Sequence, residues 1–299
     1  MRNGVLHLWK ATMEETRALF LPAGTTQPDL ATGSIFFIGN ATTLIRYAGF
    51  TILTDPNFLH QHDVAHLGYG LRSRRRTNPA MELEDLPPVD FVLLSHFHED
   101  HFDRLVIQKL DKTMPILTTQ HAAKALQQRG FQSTHAITTW DSITIAKGEN
   151  RLRITAMPGR HGPSIIGHLL PPVMGSVLEW QSPHDRTMLR LYITGDTLVY
   201  PDIKNIPHRS PNIDLALLHL GGARALGVLV TMDAKQGVEM VKIINPTIAV
   251  PIHYNDYDVM KSSLDDLQRE VAAAGLEDRM RYLHHGDTYT FGVPHNRIM

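Results

Sequence analysis

The sequence predicts an α/β chain of αββα type, two β-sheets packed face to face between outer helices, in one domain over residues 1–299. Three observations carry that expectation. Short β-branched and apolar runs, punctuated by Gly, Asn and Pro, open two separate stretches, one near Ser34 and one near Ser142. Each stretch then passes into alternating strand and helix patterns, from Phe91 and from Ile213. No Ser/Gly-rich linker, long charge run or low-complexity tract divides the two halves.

Taken in order, Ser34 to Ile38, Thr43 to Tyr47 and Phe50 to Leu53 read as a strand meander, with Ala48-Gly49 as a tight turn. His60 to Leu86 breaks the rhythm with three His, four Arg and few periodic apolar positions, so it is expected to be a lid or substrate loop. Phe91 to Leu94 is a buried strand, Phe102 to Leu110 a helix, Ile116-Leu117 a short strand, and Gln120 to Arg129 a helix stopped by Gly130. Strands are expected at Ser142 to Ala146, Arg151 to Met157, Gly175 to Trp180 and Met188 to Ile193. The last part alternates: strand Ile213 to Leu218, helix Ala234 to Ile244, strand Thr247 to Ile252, helix Val259 to Ala274 ending at Gly275, and a strand near Met280 to Leu283.

Bulk composition narrows the chemistry more than the fold. Hydrophobic residues make up 42% and charged residues 20%, and a net charge of -1 gives no global attraction to nucleic acid or anionic membrane. The absence of cysteine excludes disulfides, thiolate metal sites and cysteine nucleophiles, so any metal must be held by nitrogen and oxygen. Met1 to Phe20 carries Lys10, Glu14, Glu15 and Arg17, which interrupt any apolar signal core, and no later run approaches the ~18 apolar residues of a membrane helix. A cytoplasmic protein with no membrane insertion is expected. Histidine is the unusual number, 18 of 299 residues, and its placement is the next question.

His96, His98, Asp100 and His101 form H-x-H-x-D-H directly after a buried strand. Residues two apart in extended chain share a face, so His96 and His98 can close on one ion. Where the chain turns into the next helix, Asp100 and His101 point elsewhere and can reach a second. Further donors end other apolar strands: Asp55 in Thr54-Asp55-Pro56, His161 in Gly159-Arg160-His161-Gly162, Asp196 in Thr194-Gly195-Asp196-Thr197, and His253 in Pro251-Ile252-His253-Tyr254. Such placement is expected of a site assembled along the edge of sheets.

This ordered set, spread over nearly the whole chain, resembles the metallo-β-lactamase superfamily. Leu53-Thr54-Asp55-Pro56, Leu86-Pro87-Pro88-Val89-Asp90 and Thr194-Gly195-Asp196-Thr197 are similar to the branch containing N-acyl-phosphatidylethanolamine phospholipase D and the ascorbate-6-phosphate lactonase. The resemblance implies a four-layer αββα sandwich with two mixed sheets. It also implies that His96, His98 and His161 bind one metal, that Asp100, His101 and His253 bind a second, and that Asp196 bridges. Asp55 would orient ligands by hydrogen bonds without touching metal. Zn²⁺ suits such an N/O set best, and Mn²⁺ or Fe²⁺ fit the same ligand types. Two cations about 3.5–4 Å apart would make a bridging hydroxide the nucleophile, with no protein nucleophile required. Asp100 is expected also to hold that hydroxide in its direction of attack.

Weaker signals surround this set. His219 in Leu218-His219-Leu220 is a candidate proton donor to the leaving group, against the alternative of a hydrogen-bonded structural histidine. Asp233 is a candidate substrate contact, though a helix N-cap accounts for it more simply. Tyr254 stands beside His253 and is a candidate substrate contact, with core packing as the equal alternative. Related sequences of the branch often carry His where Asn40 stands, making Asn40 a further candidate for polar contact. The run Arg72-Ser73-Arg74-Arg75-Arg76 suggests either a phosphate site or, more simply, a solvated loop. His60, His62 and His66 flank it as loop histidines, and His284-His285 is read as structural.

The leading expectation is a dinuclear metal-dependent hydrolase of a small ester, lactone or phosphodiester, acting on a small-molecule substrate, phosphorylated or not, with oligomerisation left open. An RNA-processing nuclease of the same superfamily is disfavoured by the near-neutral charge. A non-catalytic metal or ligand sensor is the third reading.

Overall fold

The computed structural model describes residues 17–24, 27–68, 70–163, 167, 169–182 and 186–298. The reading of Met1 to Phe20 therefore lies mostly outside the described residues. In chain order the strands are β1 (Arg17–Leu21), β2 (Thr32–Gly39), β3 (Thr42–Tyr47), β4 (Phe50–Thr54), β5 (Val64–His66), β6 (Arg72–Arg74), β7 (Phe91–Leu93), β8 (Ile116–Thr118) and β9 (Thr134–Ala136). They continue with β10 (Ser142–Lys147), β11 (Asn150–Met157), β12 (Gly175–Gln181), β13 (Thr187–Ile193), β14 (Leu215–His219), β15 (Arg224–Ala225), β16 (Val228–Leu229), β17 (Ile248–Ile252) and β18 (Thr288–Gly292).

Fourteen of these strands make two seven-stranded sheets, ordered β18-β2-β3-β4-β7-β8-β9 and β1-β10-β11-β12-β13-β14-β17. Both are mixed: each has antiparallel hairpins toward one side and parallel neighbours, β4, β7, β8, β9 or β13, β14, β17, toward the other. The parallel parts read as continuous apolar runs because both faces are covered. In β7, Phe91 and Leu93 enter the core between the sheets, while Val92 faces the outer core beneath helices Arg104–Lys109 and Gln120–Gln127. In β14, Leu215 and Leu217 face inward, while Ala216 and Leu218 face helices Ala234–Ile244 and Leu264–Ala274. Strand periodicity of two thus produces three apolar layers between four structural ones, the αββα arrangement expected.

Three local expectations are corrected. Met280 to Leu283 is not a strand: Met280 makes one isolated bridge to Ala249, and the closing strand is β18, whose Phe291 covers Gly33 across the pair with β2. The helix expected from Val259 begins at Leu264, because Ser263 and Asp266 form a reciprocal capping box there. The run Arg72 to Arg76 is neither a solvated loop nor a phosphate site throughout, since β5 and β6 form a hairpin and Arg75 is fully buried. Its Nη1 donates to the Asn57 carbonyl at 3.1 Å, its Nε to the Thr77 carbonyl at 3.1 Å, and its guanidinium lies 5.6 Å from the Tyr257 ring centre. Strands β1 and β9 had no counterpart in the sequence reading. Among the described residues no helix is long and apolar enough to cross a membrane.

Candidate metal centre

The site lies where apolar strands of both sheets end. Asp55 follows β4, the segment His96 to His101 follows β7, Asp196 follows β13, His219 ends β14 and His253 follows β17. His161 follows β11 after a short turn. Each strand is fixed by its core, so each donor inherits a rigid base. Two glycines permit the crowding. Gly195, at φ +61°, leaves no room for a Cβ, which would lie 2.7 Å from the Met174 carbonyl. Gly221, at φ +89°, lets the chain pass so close to His253 that a Cβ would lie 2.5 Å from its carbonyl.

The fold brings together all seven residues expected to hold metal, every one of them buried. His96, His98 and His161 each offer a donor atom within 4.8 Å of the other two. Asp100, His101 and His253 do the same, and Asp196 forms a third such group with His96 and His101, placing it between the first two. The carbonyl of Val230 accepts from His161 Nδ1 at 3.0 Å, and that of Leu220 from His253 Nδ1 at 3.2 Å. A carbonyl only accepts, so in both rings Nδ1 carries the proton and Nε2 presents its lone pair to the centre.

His96 Nε2 and His98 Nδ1 lie in hydrogen-bond contact at 3.0 Å, but other donor atoms of the cluster are left unsatisfied. His98 Nε2, His101 Nε2, His253 Nε2, Asp100 Oδ1 and Asp196 Oδ1 are buried and have no hydrogen-bond partner. His101 Nε2 stands 3.5 Å from Asp196 Oδ1, and His253 Nε2 stands 3.5 Å from Asp100 Oδ2. Donors about 2.0–2.1 Å from a tetrahedral cation lie about 3.3–3.4 Å apart, so this spacing fits a shared ion. Orphaned buried donors are costly, and so many in one place fit metal chelation. Burial and the neighbouring His161 bring His98 down to about 3. Burial also disfavours charge on His101, but the carboxylates of Asp196, Asp100 and Asp55 outweigh it and raise that ring well above its ordinary value.

Behind the donors stands a supporting layer. Asp55 Oδ1 accepts from the Ser95 amide at 2.7 Å, while Oδ2 lies 3.2 Å from His219 Nε2 and 3.5 Å from His101 Nδ1. Burial pushes the Asp55 carboxyl up, but the His101 and His219 imidazoles outweigh that and hold it at about 2. Asp55 therefore fixes the ring of His101 from its far side.

His219 stands beside Asp55 in this layer too. It is fully buried, stacked 5.8 Å from His101, and its Nδ1 faces the Thr194 hydroxyl at 3.3 Å, away from the cavity before the donors. Asn40 is fully buried as well. Its Nδ2 donates to the Asp100 carbonyl at 2.6 Å, and its carbonyl accepts from the His253 amide at 2.7 Å. Tyr254 turns away, its hydroxyl donating to the Leu283 carbonyl at 2.9 Å. Asp233 caps helix Ala234–Ile244, accepting from the Gln236 amide at 3.1 Å.

Several supporting residues were not singled out from sequence. Thr231 donates its hydroxyl to Asp196 Oδ2 at 3.0 Å, and Asp256 accepts from the Asn40 amide at 3.0 Å. Asp103 ends the opening motif and accepts from the amides of Phe58, Leu59, Leu105 and Val106, tying the chain after β4 to the start of helix Arg104–Lys109. For Asp103 a signal existed, an acidic residue immediately before a helix.

The chain is 25% identical over 214 residues to a protein of Nanoarchaeum equitans named UPF0173 metal-dependent hydrolase, covering 72% of this chain and 92% of that one. It is 25% identical over 266 residues to the UPF0173 protein YddR of Bacillus subtilis, covering 85% and 98%. The solved structure of an isothiocyanate hydrolase from Delia radicum gut bacteria has the same fold, with a TM-score of 0.73 at 23% identity, over 87% of this chain and 99% of that one. A possible metal-dependent hydrolase from Veillonella parvula matches with a TM-score of 0.73 at 22% identity, over 87% and 100%. Residues 51–254, which carry every donor described above, match the beta-lactamase superfamily domain, and the chain belongs to that family.

Proposed function

We propose that this single-domain chain is a hydrolase that holds two divalent cations, His96, His98 and His161 gripping one, Asp100, His101 and His253 the other, with the carboxylate of Asp196 between them. The observation that carries the reading is the set of five buried donor atoms without hydrogen-bond partners, on residues that cluster at metal-ligand spacing. Zn²⁺ suits the nitrogen-rich set best, and Mn²⁺ or Fe²⁺ also match its donors. Such cations, when bound, make a water nucleophilic near neutral pH and stabilise negative charge on a substrate oxygen.

The chain's own residues do the rest. Asp55 and Asn40 hold His101 and the backbone of Asp100 and His253, so the donors are set before anything binds. Asp100 Oδ1, buried and unpartnered, accepts a proton from the attacking water and fixes its direction. The strand-end signatures around Asp55 and Asp196 support placing the chain near the lactonase-containing branch, with a small ester, lactone or phosphodiester as substrate.

Elemental analysis of protein purified without added metal should find about two transition-metal ions per chain, and fewer than one would overturn the dinuclear reading. Asp100→Asn should lower kcat by about 10²–10⁴-fold. Full activity at unchanged metal content would remove Asp100 from the orienting role.

A further inference from the structure

The four donors His98, Asp100, His161 and Asp196 form one wall of a cavity of about 30 Å³. Opposite them lie Leu71, Leu170, Ala225, Val230 and Val259, which belong to a hydrophobic cluster of their own. Among the described residues Arg224, in β15, is the one Lys or Arg that lines the same space. Its Nη1 donates to the Gly227 carbonyl at 3.0 Å, and no carboxylate among the described residues pairs with its guanidinium. A guanidinium carries five N–H donors in a planar fork, so most of them remain for a ligand. Neighbouring arginines differ. Arg104, on a groove of about 560 Å³ that shares Leu67, His98 and Leu170 with the cavity, is paired with Glu99 and Asp63, each at 2.9 Å. Arg76 is paired with Asp258 at 2.7 Å. On its other side Arg224 borders a pocket lined by Asp233, Asp266 and Glu270, but the first two cap helices and none of the three pairs with it.

We infer that Arg224 determines specificity: it receives an oxyanion, a carboxylate or a phosphoryl group, that the substrate carries close to the bond being cleaved but not as part of it. The inference rests on the hydrolase reading above. The guanidinium fork matches either oxyanion through paired N–H···O bonds. The aliphatic wall strengthens that pair, because charges attract more where apolar groups displace water. Divalent cations, when bound, outweigh the carboxylates of Asp100 and Asp196, so the donor wall and Arg224 both favour a negative group between them. A cavity of about 30 Å³ holds few atoms, so the link between the oxyanion and the reacting centre is short. The rest of the substrate extends into the wider groove beside Phe97.

The test measures binding by calorimetry to protein of verified metal content, with three probes of matched length: butyrate, succinate and 3-phosphonopropionate. Each offers one carboxylate to the metal centre, and its far end is a methyl, a carboxylate or a phosphonate. Succinate or 3-phosphonopropionate should bind at least about tenfold tighter than butyrate, and the tighter of the two identifies the oxyanion. Arg224→Gln, at an exposed position, should shrink that ratio at least about threefold, with metal content and circular dichroism unchanged. Arg224→Lys, which keeps the charge but loses the fork, should retain more of the ratio than Arg224→Gln. A wild-type ratio below about ten, a ratio that Arg224→Gln shrinks by less than about threefold because both ends of the probe sit on metal, or no binding of any probe overturns the inference and leaves the hydrolase intact. Fewer than about one metal ion per chain overturns the hydrolase reading and this inference with it.

Discussion

Asp55 shows how one buried carboxylate can bear on several groups of a site at once. It receives the Ser95 amide on one oxygen and stands beside His101 and His219 on the other. Replacing it with Asn keeps the shape but sets an NH₂ group against one of those rings. Asp55→Asn should weaken metal affinity by about 10–100-fold, the usual cost of losing an orienting partner. Competition with a chromogenic chelator measures this, and wild-type affinity would return Asp55 to a purely structural role. The histidines and aspartates of the centre were legible as residues because they end apolar strands at motif spacing. Their supports were not: Thr231 and Asp256 carry no local pattern, and only the meeting of distant segments puts them beside Asp196 and Asn40.

At the scale of elements, the segment after β7 is held less by its helix than by Asp103. Helix Arg104–Lys109 spans six residues, too short to persist alone. Asp103 caps it and also accepts amides from Phe58 and Leu59, so one side chain locks the chain after β4 against the chain after β7. Asp103→Ala leaves several buried N–H groups unpartnered and should cost about 3 kcal/mol or more, read as a lower urea midpoint at unchanged m-value. A loss below about 1 kcal/mol would mean that other groups satisfy those amides. Long periodic elements such as helix Ala234–Ile244 were readable to the residue. The two edge strands β1 and β9 were not, since a few residues at a sheet edge carry no amphipathic signal and exist only through their neighbours β10 and β8.

Across the whole molecule, stability should carry a pH signature from a pair joining the C-terminal segment to the site's support. His285 Nε2 lies 3.1 Å from Asp256 Oδ1. Burial disfavours the His285 charge, but the hydrogen bond and charge of Asp256 outweigh it and raise that imidazole. Burial also opposes ionisation of Asp256, and His285 outweighs it to hold the carboxyl below its usual range. The raised His285 stabilises the fold fully below about pH 6.5, the unfolded histidine value, and loses that effect as pH rises through its folded value. The lowered Asp256 stabilises fully above about pH 4 and loses its effect as pH falls through its own folded value. The pair therefore contributes most between about pH 4 and 6.5. His285→Gln should lower the urea midpoint more at pH 6 than at pH 9, and equal losses at both would exclude the charge pair as the cause.

The sequence by itself determined the layer order and the residues gathered at the candidate centre. Binary pattern decides which strands are covered on both faces, and nitrogen and oxygen donors at strand ends, in a chain without cysteine, restrict the ligands of any bound metal to residues such as His and Asp. Only the tertiary structure decided which polar residues face the cavity and which stand behind it. His219, Asn40 and Tyr254 occupy the same kind of sequence position as the donors, yet they are turned into the supporting layer or the core. The aliphatic wall opposite the donors is likewise assembled from segments up to 192 positions apart, from Leu67 to Val259. A side chain's direction at a strand end depends on what packs against it from elsewhere in the chain, and local sequence does not encode that.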